Sequence, residues 1–135
     1  MRLLLIRRHG RLITTSVLCC GNVTWASMLA IAEDREAVPV GNYELFWDYS
    51  EKEGWHFRLV QIGGTAVARI LPFRLGKLPK CAFLPVMGFK NAAETPNLAF
   101  QRLMDRMEPY PGEDWKVEIM DLPPKTKGKP CKLAS

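Results

Sequence analysis

Three features of the sequence predict a mainly β protein, a small barrel or sandwich of about eight strands with one helix packed on its side. Short segments rich in Val, Ile, Leu, Thr and aromatic residues follow one another, separated by Gly, Asn, Asp and Ser. Apolar and polar residues alternate with period two through the middle of the chain. One stretch, from Leu98 to Met107, repeats its apolar residues at helical spacing instead. The 135 residues are 47% hydrophobic and 24% charged, which suits one globular domain with a single core. The expected division is a single β-rich domain over residues 1–122 and a basic tail of flexible composition over 123–135.

Residues 2–7 read as a first strand and 12–20 as a second, with a turn at His9-Gly10 between them. Asn22 to Ile31 reads as a third, after a Gly21-Asn22 turn. The uncharged stretch Leu12 to Ala32, with Arg2, Arg7, Arg8 and Arg11 before it, also has the outline of a secretory signal. Thr14, Thr15, Ser16, Asn22, Thr24 and Ser27 interrupt it, however. Leu3 to Ile6 also sits before the arginines, where a signal is polar. Three strands are the better reading, no membrane span is expected, and the default compartment is the cytoplasm.

Glu33 to Glu36 reads as a polar turn. Asn42 to Tyr49 alternates Tyr43, Leu45 and Trp47 with Glu44, Phe46 and Asp48, so aromatic rings fall on both faces. Ser50 to Gly54 is a hairpin turn. Trp55 to Ile62 then places Trp55, Phe57 and Leu59 on one face and His56, Arg58 and Val60 on the other. Gly63-Gly64 ends that strand, and Ala66 to Leu71 forms another. Pro72 to Lys80 is a loop, and Cys81 to Met87 a short apolar strand. Thr95 is the expected helix N-cap and Pro96 the first helical residue, with Pro109, Pro111 and Gly112 as the stop. Trp115 to Leu122 is the last strand.

Charge is segregated along the chain. Residues 33–53 carry seven acids against Arg35 and Lys52, whereas 69–90 carry five basic residues and no acid. Lys125, Lys127, Lys129 and Lys132 supply four of the five units of net positive charge. Opposed patches favour self-association or a charged protein partner. Arg69, Arg74, Lys77 and Lys80, interleaved with Phe73, together with the tail lysines, also make a candidate surface for nonspecific nucleic-acid binding. No Cys or His pair has metal-ligand spacing, so no metal or other cofactor is expected.

The order of segments carries a resemblance. A strand ending near Met28 to Glu33 is followed by Val38-Pro39-Val40-Gly41-Asn42-Tyr43, then a strand pair, a loop, Cys81 opening an apolar run, and a helix with Ala99, Phe100 and Leu103. Over residues 2–107 this resembles a small, largely uncharacterised domain family of phages and bacteria. That family is itself similar to the L,D-transpeptidase catalytic domain. The resemblance implies Cys81 as a nucleophile toward peptidoglycan stem peptides. Two positions depart from the pattern: Lys80 precedes the cysteine, and Leu71 stands where the family has its histidine. A thiol without an adjacent base is a poor nucleophile near neutral pH. The expectation is therefore a phage-encoded, non-catalytic structural or protein-interaction protein, a virion component or assembly partner made in the cytoplasm. The alternative is a cysteine enzyme with Cys81 as nucleophile and His56 as a displaced base.

Overall fold

A computed structural model describes residues 1–73, 78–89, 97–109, 112 and 114–123. Eight strands close into a barrel: β1 (Arg2–His9), β2 (Ile13–Cys20), β3 (Val23–Ile31), β4 (Gly41–Ser50), β5 (Gly54–Gln61), β6 (Val67–Ile70), β7 (Ala82–Val86) and β8 (Trp115–Asp121). Two helices accompany them, α1 (Asp34–Ala37) and α2 (Leu98–Met107). The order around the barrel is β1-β2-β3-β7-β6-β5-β4-β8. Neighbours are antiparallel except β6 with β7 and β8 with β1, which are parallel.

Alternation sets the core. Leu3 and Leu5 of β1, Leu18 of β2, Tyr43 and Leu45 of β4, Phe57 and Leu59 of β5, and Val117 and Ile119 of β8 all point inward. On α2, Phe100, Leu103 and Met107 join the same core, so the helix closes one end of the barrel. A second apolar cluster lies outside the wall. Leu71 and Phe73 of the β6–β7 connection cover Leu29, Ala82, Leu84 and Val86 there. Strand β7 is buried along its whole length because both of its faces are covered.

The opposite end of the barrel carries a charge at an inward position. Arg7 follows Leu3 and Leu5 in parity and is 1% exposed. Its Nε and Nη2 donate to the two carboxylate oxygens of Asp121 at 2.6 and 3.2 Å, and Nη1 donates to the Val38 carbonyl at 2.6 Å. His9 adds its Nε2 at 3.1 Å from Asp121 Oδ1. Burial alone would raise the Asp121 pKa, but Arg7 and His9 outweigh it and hold the carboxyl below its ordinary range. The buried Tyr43 hydroxyl donates to the Pro39 carbonyl at 2.6 Å, and burial pushes its pKa up.

One local expectation changes and another falls partly outside the described residues. The polar turn at 33–36 is instead the short helix α1, closed by a bond from Val38 N–H to the Asp34 carbonyl. The described part of α2 starts after Asn97 as N-cap, while Thr95 and Pro96 lie outside the described residues. The uncharged stretch from 12 to 32 forms β2 and β3, as the strand reading requires. Among the described residues, no helix is long and apolar enough to cross a membrane.

Arg7→Ala should destabilise the fold by about 3–5 kcal/mol in chemical denaturation, because Asp121 loses both guanidinium donors and keeps only His9. Asp121→Asn should show the matching pH signature. A carboxyl whose pKa is depressed by folding contributes stability that is complete above about pH 4 and is lost as pH falls through the lower, folded value. The stability gap between the native chain and Asp121→Asn should therefore close on acidification, and a gap independent of pH would contradict the ion pair.

Candidate functional site

The two residues that an enzyme would need are kept apart. Cys81 precedes β7, level with Ala68 on β6, whereas His56 on β5 is level with Leu71. They are separated by two strand spacings and three residues, or about 14 Å at ordinary strand geometry. His56 is 3% exposed, and its Nδ1 lies 2.9 Å from the Gly54 carbonyl oxygen. The thiol of Cys81 is pushed up by burial and by the charge of Asp34, which outweigh Arg69 and Lys80 nearby. That is the opposite of an activated nucleophile. The backbone of Cys81 sits in the left-handed region, with φ of 52°. There it turns the chain into β7, while its carbonyl accepts from Arg69 N–H at 3.0 Å.

The basic loop is only partly available as a cationic surface. Arg69 bonds the Glu53 carboxylate and also donates to the Lys80 carbonyl at 2.6 Å. Phe73 is 8% exposed in the outer cluster, so its ring does not present a stacking face. Lys80 is exposed. Arg74, Lys77, Lys125, Lys127, Lys129 and Lys132 lie outside the described residues. Among the described residues, no three His, Cys, Asp or Glu side chains gather as a metal site.

A different site emerges where β4 outruns β8. Pairing with β8 ends at Leu45 opposite Trp115, while pairing with β5 continues to Ser50 opposite Gly54. Among the described residues, β4 from Phe46 to Ser50 therefore has a strand on one side only. The Asn42 carbonyl accepts from Ile62 N–H on the β5 side at 2.8 Å, so strand alternation turns the backbone of Trp47 toward the open side. The inward-facing side chains also continue past the core as a row of rings. Trp47 stacks on Trp55 at 5.5 Å, Tyr49 meets Trp55 at 5.2 Å, and Trp47 leans on Phe57 at 4.8 Å. Trp47, Tyr49 and Trp55 are each about half exposed.

Beside this edge, α2 and the segment before β8 complete a groove of about 640 Å³. Its apolar lining includes Leu45, Trp47, Phe57, Met104, Met107 and Trp115. Among the described residues, its polar lining holds four acids, Glu44, Asp105, Glu108 and Asp114, with Gln101 and no basic residue. Lys116 reaches Glu44 at 3.9 Å, and Gln101 Nε2 donates to Asp105 at 3.0 Å. On the other flank of α2, a smaller cleft of about 170 Å³ is lined by Arg102 and Arg106. The helix thus separates an acidic groove from a basic cleft.

This groove was not among the sites expected from sequence. Its acids come from a strand, a helix and a loop distant in the chain. The one advance signal is the in-phase run of Trp47, Tyr49, Trp55 and Phe57 across the hairpin.

Cys81→Gly should leave the protein about 1 kcal/mol more stable than Cys81→Ala, because glycine accepts the left-handed backbone that alanine resists. Thermal or denaturant unfolding of the two variants checks the order.

Comparison with protein-family models, with curated proteins and with solved structures finds no match to this chain.

Proposed function

We propose that the chain is a non-catalytic protein-interaction module that binds an extended, basic peptide segment in the groove between β4 and α2. The observation that carries this reading is the conjunction at one place of an open strand edge, exposed stacked tryptophans and a polar lining whose charged groups, among the described residues, are all acids. Strand addition supplies main-chain hydrogen bonds, and pockets for alternate side chains supply selectivity. The acids select cations, and the rings and methionines take apolar or alkylammonium groups. A role as a structural or assembly partner needs no more chemistry than this.

Tryptophan emission of the full chain, held dilute, should respond to a peptide alternating Lys and Val and not to its Glu counterpart. Asp105→Asn with Glu108→Gln should weaken that binding about tenfold, and added salt should weaken it further. Equal binding of the two peptides, or none at millimolar concentration, would sink the reading.

The cysteine-enzyme reading keeps one observation in its favour, the left-handed backbone at Cys81. In a variant with Cys19, Cys20 and Cys131 replaced by Ser, Cys81 should alkylate half-maximally only above the ordinary thiol pKa of about 8.5. A midpoint well below that value would restore the nucleophile and displace the binding-module reading.

A further inference from the structure

The groove still needs an occupant, and the sequence of this chain contains a segment of matching chemistry. Lys125, Lys127 and Lys129 recur at every second residue, with Lys132 following and no acid between Pro123 and Ser135. In an extended segment such spacing puts three ammonium groups on one face. That face complements in charge the acids Glu44, Asp105, Glu108 and Asp114 that line the groove. These lysines lie outside the described residues, and the described chain ends at Pro123.

Reach decides which copy supplies the segment. Strand β8 runs from Trp115, at the groove, to Asp121, at the other end of the barrel. Six residues of strand span about 20 Å, so Pro123 is farther than that from the groove. Lys125 and Lys127 lie two and four residues beyond Pro123, within about 7 and 14 Å of it even when fully extended. Lys125 and Lys127 therefore stop short of the carboxylates of their own chain, and only Lys129 and Lys132 have the length to reach them. Building on the proposed role of the groove, we propose that its occupant is the 124–135 segment of a second copy. The chain then associates with itself by placing the tail of one copy along β4 of another.

The experiment is a complementation in sedimentation velocity. One full-length variant neutralises the tail (Lys125→Gln, Lys127→Gln, Lys129→Gln, Lys132→Gln). Another neutralises the groove (Asp105→Asn, Glu108→Gln, Asp114→Asn). All the substituted groove residues are exposed, and circular dichroism confirms that each variant folds. The native chain should associate with rising concentration, at least about tenfold more weakly in 0.5 M than in 0.05 M salt. Each variant alone should stay monomeric, and their mixture should associate, because one keeps the groove and the other the tail.

Unchanged association of either variant alone, or a mixture as monomeric as its components, would overturn the proposal. The Lys-Val peptide separates this failure from failure of the groove itself. If the native chain is monomeric while the tail-neutralised variant still binds the peptide, the groove is a binding site but the tail of a second copy is not its ligand. If neutralising the tail strengthens peptide binding to a chain that stays monomeric, the tail competes within its own molecule, and the second-copy assignment falls.

Discussion

Everything in this fold depends on joining β1 to β8. The two strands are separated by almost the whole chain, and they pair in parallel, from Arg2 with Lys116 to Arg7 with Asp121. That pairing closes the barrel and removes the exposed edges that an open sheet would leave. It is fixed at its far end by a buried guanidinium that spends three donors on Asp121 and Val38. A buried ion pair of this kind gains little over an apolar pair of the same shape, but it makes a mispaired register expensive. A shift of β8 by one residue would take Asp121 away from Arg7 and turn Val117 and Ile119 outward.

The two ends of the barrel are finished by different means, and this places the groove. At the Arg7 end, polar side chains and α1 complete the structure. At the other end, α2 inserts Phe100 and Leu103 between the strand ends. A straight helix cannot follow the rim of a round barrel. It covers the β3 and β7 side, where its sheet contacts concentrate, and leaves a space against β4 and β8. The hairpin of β4 and β5 grows past the rim on that side, so its inward row of rings faces the space instead of a core.

Much of this architecture was legible in the sequence, because period-two alternation reports directly on which side chains face a core. The strands and the barrel-or-sandwich class follow from it, the one substantial helix follows from apolar residues at helical spacing, and closure into a barrel is added by the structure. Three further things were not legible. Arg7 sits in the inward series, yet a charge reads as solvent-facing until its partner 114 residues away is known. Asp34 to Ala37 is too short and too polar for a periodic signal. Cys81 and His56 are separated by a strand register that no local pattern encodes. The acidic groove is illegible for the same reason, since Glu44, Asp105 and Asp114 meet only after the barrel closes. The aromatic hairpin was visible as a pattern, but alternation alone does not say where the core stops.

The place of β8 in the wall has a consequence for how the molecule comes into being. Among the described strands it is the last in the chain, and it lies between β1 and β4, both far earlier in sequence. Until it arrives, the β1–β2–β3 sheet has no neighbour on its β1 side, and β4 has none opposite β5. A chain that has formed β1 to β7 without β8 would carry two bare edges, each a template for a strand of another molecule. Closing the wall needs a contact of nearly maximal sequence separation, the kind whose loop closure costs most entropy. The residues of β8 cover β1 and the first half of β4, and the open edge from Phe46 to Ser50 is what they leave.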